Sequence, residues 1–308
     1  MNFEKPSIET LKTFIQKELK DESFEDKLIR PSEGIIVEPI YQNLENNKVN
    51  LERNTEYFTY FENFKIQGNF EIINQEILSA LEQGTGGVIL EFEETQNILQ
   101  EDFEKLFHQI RLDYIFTVFK YLNPSSLNSF QNYLSVLKYE VPQNQFIFDT
   151  FTIKNEHFYE LSSQIINQIS KEKQTLIEIE LNGDFYWDLC KSRAFKILID
   201  NYTKLNDFPL NYLIVTKTSS QNPHQEKVNM LIQHTTEAIS GFVSATDGII
   251  IPPIQTENIN FDRRMARNIF HLLHEESYLS LVDDASNGSY FIENYTYQIA
   301  KKIHSTKI

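Results

Sequence analysis

The feature that most constrains this chain is an alternation of short β-rich runs with helical patterns from about residue 64 onward. The strand candidates span 64–70, 87–92, 114–121, 145–151, 176–181, 212–216 and 248–251. The helix candidates, with apolar residues at helical spacing, span 72–83, 102–110, 125–139, 157–170, 185–204, 228–244 and 262–276. Strands separated by helices of this length imply right-handed crossovers, so the pattern predicts a parallel sheet.

A weak further strand at 280–283 and a closing helix over 290–302 would bring the alternation to eight units. Eight units favour an α/β fold of the TIM-type (β/α)8 class, and 308 residues are enough for one such domain. An open doubly wound sheet is the alternative that the pattern leaves open.

An amphipathic segment precedes the alternation. In 7–20 the apolar residues recur at helical spacing, at Ile8, Leu11, Phe14, Ile15 and Leu19. An extended apolar run, EGIIVEPIY at 33–41, and a polar loop at 43–54 follow. We therefore divide the chain into an N-terminal helical and extended arm at 1–55, which makes a subunit contact, and a barrel at 56–308.

Composition excludes several functional classes. Lys and Arg total 28 against 44 Asp and Glu, and the net charge of −16 opposes binding to nucleic acid or to an anionic membrane. The one cysteine, Cys190, excludes an internal disulfide and a multi-cysteine metal site. The chain has no secretion signal and no run near the roughly 20 apolar residues that span a bilayer. We expect a cytoplasmic protein.

The stretch 263–293, RRMARNIFHLLHEESYLSLVDDASNGSYFIE, combines an R-x-A-R-N helix, an E-E-S segment and a turn ending in G-S-Y-x-I-E. This order resembles the end of the catalytic barrel of cobalamin-dependent methylmalonyl-CoA mutases. The matching residues are Arg264, Ala266, Arg267, Asn268, Glu275, Glu276, Ser277, Val282, Asp284, Gly288, Ser289, Tyr290, Ile292 and Glu293. Ala285 and Asn287 replace the family's proline and first glycine.

Four other segments match the same family in the same order. EDKLIRPSEGIIVEPIY at 25–41 looks like the start of the small, non-catalytic subunit of two-chain mutases, and 77–92 resembles the family's helix and second barrel strand. KSRAFKILI at 191–199 and TTEAIS at 235–240 are similar to two family helices. The resemblance implies a TIM barrel, the interconversion of methylmalonyl-CoA and succinyl-CoA, and adenosylcobalamin as cofactor.

Catalytic members of the family ligate cobalt with the histidine of a D-x-H-x-x-G motif. None of the 7 histidines here has an aspartate two positions before it. We therefore expect no corrinoid-binding domain in this chain and place adenosylcobalamin on a partner, the large catalytic subunit. No catalytic, cofactor-binding or metal-ligating residue is assigned here.

The substrate-contact motifs of the family are also altered. FDTFTIKNEH at 148–157 lacks the family's tyrosine-histidine pair, so His157 is expected to be an ordinary polar residue in a first helical turn, with replacement of the catalytic histidine as the alternative. In TKTS at 216–219, Lys217 stands in place of a substrate-contacting glutamine and Ser220 follows in place of glycine. The family's arginine before T-T-E-A is missing at 232–234. Such a lysine can face a barrel mouth, so Lys217 is our one candidate substrate-binding residue, although the pattern favours a solvated loop lysine.

Other clusters have structural interpretations. His271 and His274 fit a helix surface better than a metal site, and Arg263, Arg264 and Arg267 are expected to pair with Asp283 and Asp284 or with a partner chain. Gly84, Gly86 and Gly87 predict a helix stop before a strand, and Ser219 and Ser220 lack a hydrolase context. The aromatic residues at 57–64 could form core or interface.

The leading hypothesis is a non-catalytic barrel subunit that stabilises the large subunit of a methylmalonyl-CoA mutase heterodimer. One alternative is an acyl-CoA-binding barrel that works with a separate cobalamin-binding chain. Another is a solitary degenerate barrel with a scaffolding role.

Overall fold

The computed structural model describes residues 7–20, 23–24, 28–44, 49–169, 173–209, 211–219, 226–254 and 258–306. The N-terminal arm contains α1 (Ile8–Leu19) and an antiparallel hairpin of β1 (Arg30–Ser32) and β2 (Ile35–Val37). The predictions that concern 25–27, 45–48 and Ser220 lie outside the described residues.

Within the described residues, a parallel sheet of eight strands forms the body of the protein. The strands are β3 (Thr59–Lys65), β4 (Gly87–Glu91), β5 (Phe116–Lys120), β6 (Phe146–Ile147), β7 (Asp149–Ile153), β8 (Thr175–Glu180), β9 (Tyr212–Lys217) and β10 (Gly248–Ile250). Their spatial order is β6-β5-β4-β3-β10-β9-β8-β7. Because β6 and β7 are consecutive in the chain, the sheet curls until its two ends meet. The predicted TIM-type barrel is confirmed, and the open sheet is not formed.

The ring is completed by dividing one predicted strand. The segment predicted at 145–151 is split at Phe148, so that β6 pairs with β5 and β7 pairs with β8. Residues 280–283, proposed as the eighth strand, form turns instead. β10 therefore pairs directly with β3, with Gly248 opposite Thr59.

The helices between the strands lie close to their predicted positions. They are α2 (Phe70–Glu82), α3 (Gln100–Leu106), α4 (Pro124–Ser135), α5 (Phe158–Gln168), α6 (Phe185–Leu205), α7 (Lys227–Phe242), α8 (Ile259–His271) and α9 (Tyr290–Ser305). Asn69, Asn123, Asp184 and Asn258 cap their helices by accepting hydrogen bonds from first-turn amides. Among the described helices, none has the length and apolar character needed to cross a bilayer.

The first barrel strand begins earlier than the predicted range of 64–70. Gly68 adopts a positive φ of 90° and Asn69 caps α2, so the chain leaves the strand at Lys65. Of the aromatic residues at 57–64, Tyr57 is 69% exposed, whereas the others are at most 3% exposed. The aromatic cluster is therefore mainly core.

An apolar plug fills the barrel interior. It consists of Phe61, Ile89, Val118, Ile147, Leu176, Leu213, Val215 and Ile250. The alternate residues of the same strands pack beneath the surrounding helices. Because strand side chains alternate between faces, the residues two positions beyond the plug also point inward. These residues form the mouth at the carboxyl ends of the strands.

The hairpin of the arm packs on the barrel's own helices. Ile35 and Val37 join the core cluster beneath α5, α6 and α9. The Glu33 carbonyl accepts hydrogen bonds from the Tyr159 hydroxyl at 3.0 Å and from Lys302 Nζ at 2.7 Å. By contrast, α1, which is described along its whole length, has no buried residue.

Candidate site at the barrel mouth

A layer of charged side chains lies directly above the apolar plug. On β8, Leu176 belongs to the plug and Glu178, two residues later, points inward above it. The same spacing carries β5 from Val118 to Lys120 and β9 from Val215 to Lys217. The carboxyl ends of barrel strands are the usual place for the active site of this fold, so this layer is the candidate site.

Glu178 is the centre of this layer. Its Oε1 lies 2.5 Å from Lys120 Nζ, and its Oε2 lies 3.8 Å from Lys217 Nζ. The Thr152 hydroxyl donates a 3.3 Å hydrogen bond to the same Oε2. The side chains of Glu178 and Lys120 are 1% and 9% exposed, and that of Lys217 is 23% exposed. We call Lys120, Thr152, Glu178 and Lys217 the mouth cluster.

Lys217 lies at the mouth, and not in a solvated loop as the sequence favoured. It ends β9, and its ammonium faces the Glu178 carboxylate rather than bulk solvent alone. Its role in substrate binding stays a prediction. Glu178 was missed by the sequence analysis, although the alternation of LIEIEL put it on the same face as Leu176.

His157 lies outside the strands that carry the mouth cluster. It ends a 3₁₀ turn, Asn155–His157, that leads into α5, and it is exposed. This agrees with an ordinary polar residue at the beginning of a helix. Asn155, from the same turn, reaches Lys191 Nζ through its Oδ1.

A buried ion pair orders the loop after β8. Asp188 accepts hydrogen bonds from the amides of Asn182 and Gly183 at 3.0–3.1 Å, and its Oδ1 lies 2.6 Å from Lys191 Nζ. Burial raises the pKa of Asp188 and lowers the pKa of Lys191, while each charge partly offsets the shift of the other. Lys191, the lysine of the KSRA motif, is therefore buried and paired within the protein.

The TTEAIS motif orders the loop after β9. Glu237 is fully buried and accepts hydrogen bonds from the Ser219 amide at 2.7 Å and hydroxyl at 3.1 Å. Gln233 Nε2 donates to the same carboxylate at 2.8 Å. His234 Nε2 lies 3.2 Å from the Ser219 carbonyl, and burial lowers the pKa of this histidine. Because the imidazole meets the carbonyl rather than the hydroxyl, this arrangement does not activate Ser219 as a nucleophile.

Two family motifs meet around Arg193, outside the barrel mouth. Its fully buried guanidinium contacts Asp284 and lies 3.1 Å from Glu293 Oε1. The Gly288 amide donates to the same Glu293 oxygen at 3.0 Å. The KSRA helix and the carboxy-terminal turn are therefore joined by one ion cluster, which explains both motifs by packing.

The arginines at 263–267 have a different partner from the expected one. Arg263 Nη1 lies 3.0 Å from Glu62 Oε1, and Arg267 Nη1 lies 2.7 Å from Glu62 Oε2. Asp283 instead pairs with Arg53 at 3.3 Å. The expected structural ion pairs form, but the expected pairing with Asp283 and Asp284 is wrong because β3, not the turn, packs beside this part of α8.

The remaining sequence candidates also have structural roles. His271 Nε2 contacts the Gln83 carbonyl at 2.8 Å, and His274 Nδ1 contacts the Ser280 hydroxyl at 2.6 Å. Gly84 ends α2 with φ 87°, in agreement with the predicted helix stop. In the part of the chain that the structure describes, no group of three His, Cys, Asp or Glu side chains could hold a metal ion.

Three comparisons show which known proteins this chain resembles. The family described as methylmalonyl-CoA mutase matches residues 172–307. A methylmalonyl-CoA mutase homolog from Alkalihalophilus pseudofirmus (strain ATCC BAA-2126 / JCM 17055 / OF4) is 40% identical over 75 residues, which are 23% of this chain and 50% of that protein. A crystal structure of dihydropteroate synthetase with a product aligns with 76% of this chain and 98% of its own, at 9% identity and a TM-score of 0.34. The chain spans about half the length of the curated relative. Over residues 172–307, this chain is therefore similar to the methylmalonyl-CoA mutase family.

Proposed function

We propose that this protein is the small barrel subunit of a cobalamin-dependent methylmalonyl-CoA mutase. In this proposal it is non-catalytic and stabilises the large catalytic subunit. The observation that carries the proposal is the exposed Phe14 of α1, a helix with no buried residue, on a chain whose residues 172–307 match the mutase family.

α1 has the character of a docking helix. Its apolar residues recur on one face, and Phe14 at the edge of that face is 64% exposed. The other apolar residues of α1 are only half-buried, at Ile8, Leu11, Ile15 and Leu19. In the hairpin that follows, Ile36 points away from the core and is 67% exposed. Exposed apolar side chains grouped on one arm favour burial against a partner chain.

The charge balance of the mouth cluster supports a non-catalytic role. The ammonium of Lys217, the predicted substrate contact, faces a carboxylate from its own barrel. A substrate carboxylate or phosphate would meet that carboxylate's repulsion as well as the lysine's attraction. An anionic acyl-CoA would therefore have to compete with the Glu178 carboxylate for the two lysines of the mouth cluster.

The donors at the mouth do not fit the family's corrinoid. Cobalt in these mutases is ligated by an imidazole, whereas the described inward layer offers lysine ammonium groups and a carboxylate bridged between them. A protonated ammonium has no lone pair to give to a metal. In this proposal adenosylcobalamin is held by the partner.

Co-purification with an affinity-tagged large subunit tests the proposal. We expect the wild-type chain to be retained in a stoichiometric complex. Phe14→Glu should weaken retention about tenfold, equivalent to about 1.4 kcal/mol, because it puts a charge on the docking face. Leu205→Glu, at a position 84% exposed on α6, is the matched control and should be retained like wild type.

Two outcomes would count against the proposal. A wild-type chain that is not retained by the large subunit would refute the subunit role. Equal retention of the Phe14 and Leu205 variants would refute docking through α1.

One observation favours the acyl-CoA-binding alternative. Lys217 remains 23% exposed on the inner side of the mouth, so a ligand could reach it. Calorimetric titration of the purified chain with succinyl-CoA separates the two functions. Saturable binding would favour the alternative, and absence of heat at millimolar ligand would remove it.

A further inference from the structure

We propose that the barrel mouth is a carboxylate-binding site that the chain fills with its own Glu178. Both lysine ammonium groups and the threonine hydroxyl of the mouth cluster act as the receptor, and the Glu178 side chain acts as a tethered ligand. This proposal goes beyond the subunit role, since it concerns this barrel and requires no partner chain.

The contacts around Glu178 are those of a bound anion. Glu178 Oε1 lies 2.5 Å from Lys120 Nζ. Its Oε2 accepts a 3.3 Å hydrogen bond from the Thr152 hydroxyl and lies 3.8 Å from Lys217 Nζ. The carboxylate is 1% exposed, so these groups replace the water that a free carboxylate would bind. The receptor groups come from β5, β7 and β9, while the ligand comes from β8.

The receptor carries more positive charge than its tethered ligand neutralises. Lys120 and Lys217 contribute two positive charges against one negative charge from Glu178. Of the other described carboxylates near the mouth, Glu91 accepts from Asn63 at 3.0 Å and Glu237 accepts from Ser219 at 2.7 Å. Glu180, in register with Lys217, acts electrostatically on Lys191. Removal of the Glu178 carboxylate would therefore leave cations without a counter-charge.

The shape of the site selects a small ligand. Leu176, Val118 and Val215 close it from below, and solvent reaches it from the side of Lys217. Truncating Glu178 to alanine removes a methylene and a carboxylate, which is the size of acetate. Acetate is therefore the probe that fits the vacated space, whereas glutamine at position 178 would keep that space filled.

Thermal unfolding of Glu178→Ala in acetate tests the proposal. We expect this variant to melt below wild type and to gain about 3 °C, saturably, in millimolar acetate relative to sodium chloride of equal ionic strength. Wild type and Glu178→Gln should respond equally to both salts, because the site is occupied. Glu180→Ala, on the same strand and face, is the matched control and should show no acetate-specific gain.

Two further experiments identify the groups that bind acetate. Adding Lys217→Met to Glu178→Ala should abolish the acetate gain, and acetamide, which is neutral, should not replace acetate. The proposal is overturned if acetate helps Glu178→Ala no more than chloride does, or if Glu178→Gln gains equally. If Glu178→Ala is insoluble, refolding yield replaces the melting temperature, and equal yields in acetate and chloride overturn the proposal.

Discussion

Replacing Arg193 by methionine tests whether the carboxy-terminal motif holds the barrel together through a buried ion cluster. The Arg193 side chain is fully buried, and its partners Asp284 and Glu293 are 2% and 7% exposed. Methionine fills similar space without charge, so the variant would leave two buried carboxylates facing each other.

The size of the expected stability loss depends on the hydrogen bonds that the two carboxylates keep in the variant. Breaking a buried ion pair from one side costs about 3–5 kcal/mol. Glu293 keeps the Gly288 amide at 3.0 Å and Asp284 keeps the Ser286 hydroxyl at 3.1 Å, which favours the lower part of that range. We therefore expect Arg193→Met to lower the free energy of unfolding by about 3 kcal/mol.

Urea unfolding followed by circular dichroism measures this loss, with Arg111→Met as the matched control. Arg111 pairs with Asp113 at 2.6 Å, but its side chain is 53% exposed, so its loss should leave the free energy of unfolding nearly unchanged. Adding Asp284→Asn and Glu293→Gln to Arg193→Met should recover much of the stability. Equal losses for the two arginine variants would refute the reasoning.

The remaining predictions concern Asp247 and Gly87 at the amino-terminal ends of barrel strands, and Gly68 in the loop after β3. Burial raises the pKa of Asp247 from 3.8 to about 6, so the folded state binds the proton more tightly than the unfolded state. The free energy of unfolding should therefore fall by up to about 3 kcal/mol as pH rises from 4 to 7, and Asp247→Asn should flatten this slope; an unchanged slope would contradict the assignment. Gly87→Ala should lower the free energy of unfolding by about 1–3 kcal/mol, because the new Cβ would collide with the Phe61 ring. Gly68→Ala, with nothing within 4 Å, should cost about 1 kcal/mol through its φ of 90°, and a larger loss than at Gly87 would contradict the clash.

The order of the elements could be predicted because each strand and helix has a local pattern. The helix at 185–204, for example, forms as Phe185–Leu205. The first strand was predicted at 64–70 instead of Thr59–Lys65, because the aromatic residues at 57–64 suit either a strand or an interface. The split at Phe148 could not be predicted, since it depends on how the sheet closes.

The candidate site could be predicted only in part. Lys217 was found because a family position and a strand end coincide there. Glu178 was missed because LIEIEL shows the alternation but not which face of β8 turns inward, toward the lysines of other strands. The partner of Arg263 was missed because Glu62 is 201 positions away in the chain.

The sequence by itself determined the alternation of strands and helices, the amphipathic character of α1 and the kinship of the carboxy-terminal part. All three are properties of neighbouring residues, and local periodicity or a short motif records them. The tertiary structure decided which charges meet, because Lys120, Thr152, Glu178 and Lys217 come from four different strands. Only the curvature of the closed sheet brings these side chains within contact distance, and that contact decides that the mouth of this barrel is occupied by its own carboxylate.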